Sequence, residues 1–243
     1  MRQRLLAILM LAVTSSGGWA QCVDPSTLVG STVNIGRNFD EEERRSEPNV
    51  HGIRGTAWFL SARLVVTAAH VAEAMHLSAQ DWKEIEVQER GSKAALPARI
   101  LRVAGSHREK IAVLELSRPL AGATILRNRM GPLVPDEPLA SLAYPGSELR
   151  FAGGRFVQYG DDAKFAGMAL LEMHDGNDRL VLDHGASGAP IVDCQGRVVA
   201  VVSTLITQTI RFASSPMRVS TAWQTPNVVS IPIEVLEDFS RPE

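Results

Sequence analysis

GTAWFLSARLVVTAAHV, residues 55–71, is the stretch from which the fold is read. Two β-rich runs, GTAWFLS (55–61) and RLVVTA (63–68), stand close together and read as a hairpin. The hairpin delivers His70 at the end of an apolar run, inside the short Ala-rich helical pattern TAAHVAEAM (67–75). A histidine in such a place is more often structural. It acquires a chemical role only if a nucleophile and a third group accompany it.

The same pattern continues along the chain. EIEVQER (84–90), ARILRVA (98–104), KIAVLEL (110–116), RFVQYG (155–160), MALLEM (168–173), RLVLD (179–183), APIVD (189–193) and RVVAVVS (197–203) are short β-rich runs. Gly, Pro, Asn and Asp punctuate them, as hairpin connections require. Beyond residues 67–75, helical spacing recurs only in PIEVLEDFSR (232–241). Many short strands with few helices predict an all-β chain, sandwich or barrel, and exclude a βαβ fold. LSRPLAGATILRNRMGPLVPDEPLA (116–140), with Pro119, Pro132, Pro135 and Pro138, reads as a long connection between two β halves. The mixed-sign block DEEERRSE (40–47) reads as a solvated loop. No repeat of solenoid or propeller length is present.

The 243 residues are 45% hydrophobic and 21% charged, enough for a sizeable core and too apolar for disorder. Residues 1–20, MRQRLLAILMLAVTSSGGWA, read as a secretory signal. Arg2 and Arg4 precede the apolar run Leu5 to Val13, and Gly18 and Ala20 are the small residues of a cleavage site. That run is too short to span ~30 Å of hydrocarbon, so no membrane attachment is expected once the signal is removed. Cys22 follows Trp-Ala-Gln rather than a lipoprotein box. The destination is secreted or periplasmic. With a net charge of −2, and Arg2 and Arg4 lost with the signal, no basic field exists to hold nucleic acid. Cys22 and Cys194 are the only cysteines, and in an oxidising compartment they are expected to pair.

A candidate nucleophile lies downstream in GASGAP (185–190), where Ser187 sits between small residues. A serine in a Gly/Ala-rich turn is usually only a turn residue. Ordered along the chain, however, the blocks resemble one family, the trypsin-like (chymotrypsin-fold) serine peptidases, and particularly their bacterial exported members. LVVTAAHV (64–71) looks like the histidine motif, and GASGAP like the Gly-Asn/Asp-Ser-Gly-Gly-Pro nucleophile motif. KIAVLEL resembles the strand that begins with the family aspartate, and SLAYPG (141–146) the strand opening the second barrel. NVVSIPIEVLEDF (227–239) is similar to the closing strand and helix.

The resemblance implies two antiparallel β-barrels with a short C-terminal helix. The first barrel would run over about 50–117, the connection over 118–140, the second barrel over about 141–230 and the helix over 232–241. It implies His70 as general base, Ser187 as nucleophile, and the N–H groups of Gly185 and Ser187 as oxyanion hole. Ala186 replaces the carboxylate that digestive relatives use in zymogen activation, so that switch is not expected. Val181 and Ser203-Thr204-Leu205 would flank an apolar, shallow pocket for the residue before the cut. Asp183 and His184 read as a solvated loop beside the cleft. The chain would end too soon after its helix for the peptide-binding module that follows this domain in the periplasmic heat-shock peptidases.

One departure matters. Lys110 stands where the family has the aspartate that accepts from the catalytic imidazole. A lysine offers no acceptor there, and its charge disfavours imidazolium. Glu109 is the nearest substitute acid, but strand alternation turns it away unless a bulge or a strand start reorients it. Asp81 and Glu84 are more remote candidates. The expectation is therefore an exported serine endopeptidase acting on proteins or peptides, with an uncertain third triad member. The alternative is a catalytically inactive pseudo-peptidase serving as a protein-binding module. Trp58 reads as core. His51, His76, His107 and His174 show no metal-ligand spacing, and no phosphate or dinucleotide motif is present, so neither metal nor cofactor is expected.

Overall fold

The computed structural model describes residues 22–46, 48–89, 92–105, 109–175, 177, 182–205, 208–211, 216–219 and 225–239. The expected signal, His107 and Val181 lie outside them. The first half carries β1 (Thr32–Asn38), β2 (Gly52–Phe59), β3 (Leu64–Ala68), β4 (Lys83–Glu89), β5 (Ser92–Ala104) and β6 (Ile111–Leu116). These close into an antiparallel barrel in the order β1-β2-β3-β6-β5-β4. The second half carries β7 (Pro138–Ala143), β8 (Arg150–Tyr159), β9 (Ala169–His174), β10 (Pro190–Val192), β11 (Val198–Leu205), β12 (Gln208–Arg211), β13 (Pro216–Val219) and β14 (Val228–Pro232). Its barrel closes in the order β10-β11-β14-β9-β8-β7, while β12 and β13 pair as a separate hairpin. The double barrel expected from the sequence is the fold.

The boundaries differ from expectation in three places. The first barrel begins at Thr32, not near residue 50. Only Val33 and Ile35 of β1 are apolar, yet Thr32 and Asn34, on the opposite face of the strand, are buried too. The second barrel begins at Pro138, and the closing helix is a 3-10 segment, Ile233–Phe239. The block at 40–47 is not a loop throughout: Glu41–Ser46 form one short helix, α1. Asp40 and Glu43 cap it reciprocally, Glu43 N–H donating to Asp40 Oδ1 (2.9 Å) and Asp40 N–H to Glu43 Oε2 (3.1 Å).

The near-continuous apolar runs follow from burial on both strand faces. In β6, Ala112, Leu114 and Leu116 point into the first barrel. Ile111 and Val113 pack instead with Leu142, Val201, Val229 and Ile231 of the second barrel. Trp58 belongs to that shared core and is fully buried, as expected. Phe156, Leu171, Ile191 and Val199 fill the second barrel. A strand buried on both faces has no polar side to alternate with. The cleft edge between the barrels is where polar groups can converge. Among the described residues no helix is long and apolar enough to cross a membrane.

Candidate active site

His70 is placed by β3 and the short helix that follows it, α2 (Ala69–Ala74). Register pairs Ala68 at the end of β3 with Ile111 at the start of β6. The N–H of Ala69 then donates to the carbonyl of Lys110 at 2.7 Å, which fixes the helix start against the residues preceding β6. Because β6 starts only at Ile111, residues 109 and 110 are free of strand alternation. The Lys110 side chain is exposed to solvent, while Glu109 turns inward. His70 Nδ1 lies 3.6 Å from Glu109 Oε2. That is an ion-pair distance, longer than a formed hydrogen bond.

Glu109 has a second partner in Ser203, whose hydroxyl donates to the same carboxylate oxygen. The imidazole beside it holds the Glu109 carboxyl below its ordinary range, the Ser203 hydroxyl adds to this, and burial opposes both. The Ser203 carbonyl in turn accepts the Ser187 hydroxyl at 2.9 Å. His70, Glu109, Ser203 and Ser187 thus form one connected series across the two barrels. For Ser203 the sequence indicated only a place at the rim of a specificity pocket.

The nucleophile turn is built from its backbone. Ala186 N–H donates to Asp183 O (2.8 Å), Gly188 N–H to Val202 O (2.8 Å) and Ala189 N–H to Ala186 O (2.9 Å). The N–H groups of Gly185 and Ser187 donate to no acceptor among the described residues. Gly185 has φ +97° and Gly188 φ +92°, backbone that side chains other than hydrogen rarely accept. A Cβ on Gly188 would collide with Thr56 O and Thr67 Oγ1. The turn therefore presses directly on β2 and β3 of the other barrel.

Other expected residues fall away from this series. Asp81 closes an exposed turn, its N–H on Ser78 Oγ at 3.0 Å, and Glu84 is an exposed residue of β4. Asp183 and His184 are exposed. Cys22 and Cys194 are bonded, with their Cα atoms 4.8 Å apart. His76 stacks on Phe39 and pairs with Glu43 (3.2 Å), and His174 lies 3.6 Å from Glu172. No group of three or more metal-ligating side chains occurs among the described residues.

Comparison with known proteins agrees with the double-barrel fold. Residues 55–201 match the family described as trypsin-like peptidase domain. No curated protein sequence matches the chain. Among solved structures, the active form of the Rv3671c protease from M. tuberculosis aligns at 16% identity and TM-score 0.58, covering 88% of this chain and 81% of that one. Its inactive form aligns at 16% identity and TM-score 0.57, covering 89% and 92%. The HtrA-type protease AlgW with tripeptide aligns at 15% identity and TM-score 0.56, covering 88% of this chain and 60% of that one. At such identities these structures speak for the fold alone.

Proposed function

The chain belongs to the trypsin-like peptidase domain family, and from that premise we propose that it is an exported serine endopeptidase whose triad is Ser187, His70 and Glu109. Ser187 Oγ attacks the scissile carbonyl and passes its proton to His70 Nε2. The N–H groups of Gly185 and Ser187 stabilise the tetrahedral oxyanion, and His70 returns the proton to the leaving amine. Water then hydrolyses the acyl-enzyme by the same route. The observation that carries this reading is Glu109 Oε2 at 3.6 Å from His70 Nδ1, a carboxylate where the sequence offered Lys110. The glutamate also explains why an exposed lysine beside it is tolerated. For attack, the Ser187 hydroxyl leaves the Ser203 carbonyl and turns to the imidazole as substrate fills the cleft.

Export is supported by the Arg2–Ala20 signal pattern and by the Cys22–Cys194 bond. N-terminal sequencing of the protein recovered outside the cytoplasm should begin at Gln21; an intact Met1 there would refute it.

A fluorophosphonate probe, which reacts only with an activated serine, tests the triad. Wild type should be labelled and Ser187→Ala should not. Glu109→Gln should slow labelling by ~10²–10⁴, the upper figure being that for an aspartate-to-asparagine change in the well-studied triad. Lys110→Asp should change little. Failure of wild type to label would favour the binding-module reading. A gain on Lys110→Asp would show that Glu109 does not serve.

A further inference from the structure

The oxyanion donor at Gly185 sits on the residue type least able to hold its own conformation. Something outside the turn has to hold it. A trans peptide directs its C=O and N–H in opposite senses, so whatever binds the carbonyl aims the amide. The His184 carbonyl accepts from Gly146 N–H at 2.9 Å, which aims the Gly185 N–H away from the 144–147 segment. The next peptide is held at both ends. Its Ala186 N–H donates to Asp183 O (2.8 Å), and its carbonyl, Gly185 O, accepts from Thr56 Oγ1 at 2.7 Å.

Thr56 belongs to β2 of the first barrel and is fully buried. Its hydroxyl donates to Gly185 O and accepts from Tyr144 N–H at 3.0 Å, so one oxygen ties β2 to both segments that fix the Gly185 peptides. Its backbone N–H donates to Ser187 O at 3.0 Å, and its carbonyl accepts from buried Thr67 Oγ1 at 2.7 Å. We propose that Thr56 is a positioning residue for the oxyanion hole. Its hydroxyl locks the Gly185 peptides of the second barrel in the orientation that leaves the Gly185 N–H facing the cleft. This rests on the peptidase reading above and adds to it a residue that makes no contact with substrate.

Thr56→Val keeps the shape and removes both side-chain bonds. In the full chain, fluorophosphonate labelling of Ser187 should slow by ~10- to 100-fold, a part of the 10²–10³ reported for outright loss of one donor. On a peptide substrate the loss should fall on kcat with KM kept, and Thr56→Ser, which restores the hydroxyl, should recover the rate. A merely structural role would lower the melting temperature without that split. If Thr56→Val does not fold, Thr56→Cys, which keeps the volume and weakens both bonds, is read by the same criteria. A folded variant that labels at the wild-type rate overturns the proposal. If wild type itself does not label, the peptidase reading fails separately. The lock is then read from the Gly185 amide resonance, which should shift or broaden in Thr56→Val; an unchanged resonance would refute it.

Discussion

Glu109 titrates below its ordinary range because His70 stands beside it, and the sign of that shift sets a pH dependence. The pairing contributes to folding fully above the unfolded carboxyl value of 4.5 and is lost as pH falls through the lower folded value. Melting temperatures of wild type and Glu109→Gln should therefore differ at pH 6 and converge as the pH falls below 4.5 through the lower folded value; a constant gap would contradict the pairing. At Gly188 the constraint is steric. Its positive φ and the carbonyl and hydroxyl against its face leave no room for a methyl group, so Gly188→Ala should destabilise the fold by more than about 3 kcal/mol. A urea midpoint close to wild type would refute this. His70 and Ser187 were legible in the sequence because they sit inside motifs. The inward turn of Glu109 was not, because it depends on β6 starting at Ile111, one residue later than the run 110–116 suggests, and sequence alternation does not mark a strand start.

Among the elements, α1 shows how charge and capping substitute for apolar pattern. Its residues present no hydrophobic face, and the run 40–47 reads as solvent-facing for that reason. What orders it is Glu43, which caps the helix and pairs with Arg37 at 2.7 Å, with His76 and Lys83 nearby. The Arg37 guanidinium, first, pulls the Glu43 carboxyl down to about 2. The contribution is complete above 4.5 and disappears as pH falls through about 2. Glu43→Gln should cost about 1–3 kcal/mol near neutral pH, the range for a hydrogen bond to a charged group, and almost nothing near pH 2. Chemical unfolding at both pH values checks it, and equal costs would show that the carboxylate charge is irrelevant. The apolar elements were far more readable. Strands β3, β6 and β11 announce themselves as dense runs of branched residues, whereas β1 hides behind its buried Thr32 and Asn34.

At the scale of the molecule, the two barrels share a core as apolar as either interior. Trp58, Val66, Ile111 and Val113 of the first pack with Leu142, Val201, Val229 and Ile231 of the second. Val23 and Leu28 join the same core, so the segment after Cys22 is part of the join between the barrels. The Cys22–Cys194 bond anchors that segment to the turn following β10, across a sequence separation of 172 residues. In the chain-entropy view a loop of that size is worth at most ~5 kcal/mol, and natural bonds more often give 2–4. Replacing both cysteines by serine should accordingly lower the melting temperature by roughly 5–15 °C for a chain of this length. The shared core remains after the bond is removed, so the barrels should still melt together. Far-UV circular dichroism and tryptophan fluorescence should then report one coincident transition in both proteins. Two separated transitions in the serine variant would show that the disulfide, not the apolar join, couples the barrels. Thiol titration of denatured, unreduced wild type should find no free cysteine, and a finding of two would remove the bond from the account altogether.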